Sequence, residues 1–198
     1  MKTRRLLGLA FFLSIFAVAV QAHPGHDGHE LTWDFTGGVL HPLSGWDHLI
    51  AMISVGVWAA LVGGKARWVL PATFVTVMSA AGFSAMQWGA LGATPGFVEQ
   101  GIAASLLCLG LMIAFRVRLP LAIGAIVIGL FAAFHGWAHG VELPTNANGF
   151  SYALGFVAAT IFLHAIGLAL GSSAQRYPRV TRVAGAAVAA AGLMAALS

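Results

Sequence analysis

The sequence predicts an all-α membrane protein, a six-transmembrane-helix bundle behind a cleaved N-terminal signal peptide. Three observations carry that expectation. Hydrophobic residues make up 59% of the 198 positions and charged residues only 8%, whereas a water-soluble domain carries about 25% charged residues. Apolar segments of about twenty residues, the length that crosses a bilayer core, recur six times after the leader. Beyond the first few residues, the cations fall only in alternate connections between those segments, the pattern that orients membrane helices.

The opening residues read as a processing segment. "MKTRR" is a positively charged start, "LLGLAFFLSIFAVAV" an apolar stretch, and "VQA" a small-residue cleavage site ending at Ala22. The expected mature chain begins at His23, and residues 23–34 form a short histidine-rich polar leader. Residues 35–198 then make the single transmembrane domain.

Its spans are expected near Leu43–Val62, Trp68–Gly89, Gly96–Phe115, Arg118–Val141, Gly149–Gly171 and Pro178–Leu197. Pro42, Pro71, Pro120 and Pro178 fall at or near helix starts, where a missing N–H costs least. Small residues recur four apart in Gly136/Gly140, Gly101/Ser105 and Gly185/Ala189, a spacing that lets helices approach closely in lipid. Trp46, Trp58, Trp68, Trp88 and Trp137 lie towards span ends and read as interfacial anchors.

Orientation follows from charge. Lys65 and Arg67, Arg116 and Arg118, and Arg176, Arg179 and Arg182 occupy the connections after spans one, three and five, which places those connections in the cytoplasm. Asp27, Glu30, Asp34, Asp47, Glu99 and Glu142, all the acidic residues of the chain, map to the opposite side. Both mature termini are then periplasmic, as signal cleavage also requires. A multi-pass protein of the bacterial cytoplasmic membrane is expected, with the lipid bilayer as its first partner.

Several function classes are excluded. The sequence pI is about 10.0, yet the basic residues are scattered in ones and twos and form no nucleic-acid-binding face. No GxxxxGK[ST] segment is present, so no nucleotide is bound that way. The single Cys108 precludes an internal disulfide. No catalytic arrangement stands out, and no permanently bound cofactor is expected. A homo-oligomer is compatible with the sequence.

The chemistry lies in two stretches. "HPLSGWDH" carries His41, Asp47 and His48 where the first span enters the membrane. "FHGWAHGVE" ends the fourth span with His135, His139 and Glu142, which share one helical face at spacing i, i+4, i+7. With a helix starting near Pro42, His41 and His48 are expected to face the same way. Ionisable groups at membrane depth cost roughly 2.5–3.5 kcal/mol each at the helix centre, so these are expected to face the bundle interior. Imidazole with carboxylate suits Ni, Co, Zn or Cu rather than Mg or Ca. Helix–helix hydrogen bonding is the plain structural alternative for the fourth span, and an interfacial helix start for Asp47–His48.

Secondary candidates surround these six. Glu99 starts the third span on the same side. Met52, one turn below His48, offers a thioether that could pass a soft metal inward. His23, His26 and His29 of the leader make a tract able to capture metal outside. His164, deeper in the fifth span, reads as a hydrogen-bonded packing residue or as an inner ligand.

The two stretches resemble the signature segments of the HupE/UreJ family, small membrane proteins associated with nickel supply to hydrogenases and ureases. The resemblance extends over the chain: signal segment, mature N-terminal histidine, six spans and both motifs in order. It implies a permease that carries a divalent transition metal, Ni2+ first and Co2+ as the alternative, from periplasm to cytoplasm for metalloenzyme maturation. By the same resemblance His41, Asp47, His48, His135, His139 and Glu142 are the transport-site candidates. The competing classes are a haem protein held between two histidines and a metal-binding accessory protein without flux.

Overall fold

The computed structural model describes residues 34–89, 96–143 and 149–197. The expected signal segment 1–22 and the leader histidines His23, His26 and His29 lie outside the described residues. All seven described elements are helices: α1 (Phe35–Ser44), α2 (Trp46–Val62), α3 (Ala66–Gly89), α4 (Phe97–Ala114), α5 (Leu121–Glu142), α6 (Gly149–Ala174) and α7 (Pro178–Leu197). Five of them, α3 to α7, are long and apolar enough to cross a membrane, and α1 with α2 qualifies as one bent span.

That bend corrects the expected first span. It is not one helix entering at Pro42; α1 and α2 meet at 85° across Gly45. Asp34 starts α1 by accepting the Gly37 N–H at 3.0 Å, the usual way a helix N-terminus is satisfied. Pro42 sits inside α1 rather than before a helix, and it has no N–H to continue the ladder. Gly45 then leaves helical geometry at φ −83, ψ 113 and caps both helices.

The other boundaries fall within three residues of expectation. Gly63 and Gly64 turn the chain between α2 and α3 with φ of 83 and 55, a left-handed conformation that glycine adopts without a Cβ penalty. Pro120 is the N-cap of α5, which therefore starts at Leu121 rather than Arg118. Pro178 opens α7.

The helices pack in pairs, α3 with α5, α4 with α7, and α2 with α6, while α1 lies on α6. Close approach at small residues makes this possible. A Cβ on Gly136 of α5 would strike the Met78 carbonyl of α3. One on Gly167 of α6 would strike the Ile53 carbonyl of α2. The outer surface is apolar, with Ile126, Phe150, Phe162 and Leu197 exposed, while His135, His139, His164, Ser105 and Thr160 are buried. Water would penalise that inside-out distribution; lipid does not.

The cation-bearing connections gather at one end. Arg116 Nη2 donates to the Gln175 carbonyl at 3.3 Å, and Gln175 Nε2 donates to the Ala60 carbonyl at 2.6 Å. Trp58 joins the same end, its indole N–H donating to the Val117 carbonyl at 2.9 Å. It is fully buried in the core, so it is not an interfacial anchor. Trp68 is 74% exposed. The side chain of Trp88 lies outside the described residues.

Candidate metal site

The opposite end of the bundle is where the histidines meet. Because Gly45 ends α1 and starts α2, His41 in the last turn of α1 and His48 in the first turn of α2 face each other across the bend. Their ring centroids are 6.2 Å apart. The expectation that they align on one helix is thereby replaced; the bend brings them together. His135 and His139, one turn apart on α5, complete the group. His48 lies 5.2 Å from His135 and 4.4 Å from His139, and His41 lies 4.7 Å from His139.

Packing forces α5 into this position. Gly136 and Gly140, which flank His139, abut the backbone of α3 at Met78 and Gly82. That contact turns His135 and His139 inward, where they are 0% and 6% exposed. Tyr152 and Phe156 of α6 close one side, with ring centroids 6.0 and 5.9 Å from His41.

Hydrogen bonding assigns the ring protons. Asp47 Oδ1 accepts both the His48 backbone N–H at 2.8 Å and His48 Nδ1 at 2.7 Å. A carboxylate only accepts, so Nδ1 carries a proton, and in the neutral ring His48 Nε2 is then a bare lone pair. Ser105 Oγ donates its single hydrogen to the Ile102 carbonyl at 2.6 Å and therefore accepts from His135 Nε2 at 3.0 Å. His135 Nδ1 is then the bare nitrogen. Both bare nitrogens are buried without a hydrogen-bond partner. A buried acceptor left unmade costs about 1–3 kcal/mol, so such positions ask for a ligand. A neutral imidazole whose other nitrogen donates to a carboxylate or a hydroxyl is also the arrangement in which histidine binds metals.

The rings touch largely edge-on, and among the described residues no three His, Cys, Asp or Glu side chains already converge on one point. A dication would be held after ring rotation, by a few ligands rather than in a closed cage.

The remaining candidates are distributed as follows. Met52 is fully buried one turn below His48, and His164 of α6 binds its backbone. Glu99 sits in the exposed first turn of α4. Glu142 is the last residue of α5; its side chain lies outside the described residues. Two participants escaped the sequence reading. Ser105 looked like a packing residue, and only its bond to His135 shows otherwise. Phe74 of α3 lies against both His135 and His164, with centroids 5.6 and 5.1 Å away, and a mid-span phenylalanine gives no signal in sequence. An apolar cavity of about 230 Å³ between α3, α5 and α6 touches the cluster at His139, but its lining offers no ligand set.

Comparison with known proteins adds a second line. The family model described as "HupE / UreJ protein" matches residues 10–195. "Protein HupE" of Rhizobium leguminosarum bv. viciae is 46% identical over 159 residues, covering 78% of this chain and 80% of that protein. No solved structure matches.

Proposed function

Because the chain belongs to the HupE/UreJ family, a nickel- and cobalt-transport-associated family, we propose that it is a secondary transporter importing a divalent transition metal, Ni2+ in the first place, from periplasm to cytoplasm. The observation that carries this reading is the pair of buried nitrogens without a hydrogen-bond partner, His48 Nε2 and His135 Nδ1, on rings 5.2 Å apart. Neutral imidazoles with the Asp47 carboxylate replace part of an ion's hydration shell, and they match Ni2+ or Co2+ better than Mg2+ or Ca2+. Edge-on contact of His48 and His135 leaves no space for a macrocycle between them, which favours an ion over haem.

In this reading α1 and α2 together make the first of six spans in the bacterial inner membrane. The gathered cationic connections face the cytoplasm, both mature termini face the periplasm, and His41, His139 and Glu142 complete the outer site. The leader histidines raise the local metal concentration outside. Facilitated diffusion towards cytoplasmic metal sinks, the maturing metalloenzymes, is the simplest energy source.

The test is uptake into proteoliposomes, with Ni2+, Co2+, Zn2+ and Cu2+ in parallel, with and without an imposed pH gradient. Ni2+ should accumulate ahead of Zn2+ and Cu2+. Metal binding without flux for any of the four ions would make the protein an accessory rather than a permease.

A further inference from the structure

The His164 ring carries the same signature as the outer histidines, one turn deeper. Its Nδ1 lies 2.7 Å from the Met52 carbonyl oxygen. A carbonyl only accepts, so Nδ1 holds the ring proton and Nε2 is a bare lone pair. That nitrogen is buried with no hydrogen-bond partner, on a residue only 2% exposed. Packing alone does not account for it. A histidine kept only for its bond to Met52 needs one nitrogen, and its second is left as a buried acceptor without a partner, at a cost of about 1–3 kcal/mol.

The surroundings are those of a ligand. Met52 is on α2 one turn, about 6 Å, below His48, so its carbonyl fixes His164 at that depth. Close contact of Gly56 and Gly167 holds the two backbones together there. The Met52 sulfur lies on the same helix interface, 3.4 Å from the Thr160 hydroxyl, and Thr160 is one turn from His164 along α6. The Phe74 ring spans the two levels, in contact with both His135 and His164. It has no donor or acceptor to offer an ion passing between them.

Resting on the transport reading above, we propose that His164 Nε2, aided by the Met52 thioether, is a second metal station inward of the outer histidines, to which the dication transfers past Phe74. The outer group captures the ion, and His164 receives it on the way to the cytoplasm. A second weak station lets an ion leave the first without crossing an entirely apolar layer, which is how multi-site pathways combine binding with release.

The experiment compares full-length wild type with His164→Asn, Met52→Leu and His48→Ala at matched abundance. Equilibrium Ni2+ binding is measured on purified protein and initial Ni2+ uptake in proteoliposomes. Asparagine keeps an amide donor for the Met52 carbonyl but has no counterpart of Nε2, so a purely structural His164 tolerates it. The expected result is uptake reduced about tenfold or more in His164→Asn, with Ni2+ affinity within about threefold of wild type, because the outer group still captures the ion. Met52→Leu should lower uptake in the same direction by less. His48→Ala should weaken binding itself. Uptake within about twofold of wild type in both His164→Asn and Met52→Leu overturns the inner station. Equal weakening of binding by His164→Asn and His48→Ala also overturns it, because the two would then share one site. Unchanged binding in His48→Ala instead strikes the outer site, leaving the result for His164 to be read separately.

Discussion

Ser105 on α4 accepts the Nε2 proton of His135 on α5 at 3.0 Å, thirty residues away in sequence, while its own hydroxyl is committed to the Ile102 carbonyl. This bond decides which nitrogen of His135 faces the outer cluster. Ser105→Ala should leave the Nε2 proton buried without an acceptor, a loss of about 1–3 kcal/mol. The ring is then free to change tautomer or turn. Uptake is expected to fall about tenfold at matched abundance, as for other positioning partners of metal-binding histidines. Full activity in Ser105→Ala would show that the orientation of His135 is set elsewhere.

His48 and His135 should behave as parts of one site. Each single change to alanine removes one imidazole, and the double variant should lose little beyond the worse single one, because residues acting as a unit are not additive. Uptake must be compared at concentrations where the single variants retain measurable rates. Losses that simply multiply would place the two histidines at separate sites.

Gly45 holds the Asp47–His48 pair close to the bend. A Cβ there would lie 3.0 Å from His48 Nδ1 and 3.1 Å from Asp47 Oδ1. Gly45→Ala should therefore displace the pair by a few tenths of an ångström and weaken Ni2+ binding severalfold, and Gly45→Val should do so more strongly. Binding titrations on the purified variants check the order wild type, alanine, valine; equal affinities would mean that the pair's geometry is unimportant.

Gly136→Leu should fail for a different reason. The added side chain must enter where the Met78 backbone already sits, so α3 and α5 cannot keep their contact. Overpacking in a tight core typically costs about 1–3 kcal/mol, and here the neighbour is backbone that cannot rotate away. Lower membrane abundance and a reduced unfolding temperature in detergent are the expected outcomes.

Topology and leader can be checked in cells. Reporter fusions at Gly64, Val117 and Ser173 should report cytoplasm, and fusions at Thr94, Thr145 and Ser198 periplasm. N-terminal sequencing should find His23 first. Deleting His23–Glu30 should weaken uptake only at low metal, because a tethered tract raises local concentration but cannot line the membrane path.

Much of the scaffold was legible because lipid imposes length and charge rules on a chain. The apolar runs, the prolines at 120 and 178, and the cations at 65, 67, 116, 118, 176, 179 and 182 are enough to mark helices and the end at which their connections gather. His135 and His139 announce a shared face by spacing alone. Gly136 and Gly140 likewise announce a close helix contact, though not its partner at Met78 and Gly82.

What the sequence could not reveal follows from the solvent. Lipid tails are as apolar as a helix interface, so hydropathy does not distinguish Trp58 in the core from Trp68 on the surface. Nor does it single out Phe74 from the phenylalanines that face lipid. Residue order alone determined a multi-span helical protein with polar groups concentrated towards one end of two spans. Tertiary structure decided the rest: the 85° turn at Gly45 that sets His41 against His48, the Ser105 bond that turns His135, and the Met52 carbonyl that fixes His164. Each joins groups on different helices or across a bend, and where one helix sits against another depends on side-chain and backbone shape along both, which no local pattern of polarity records.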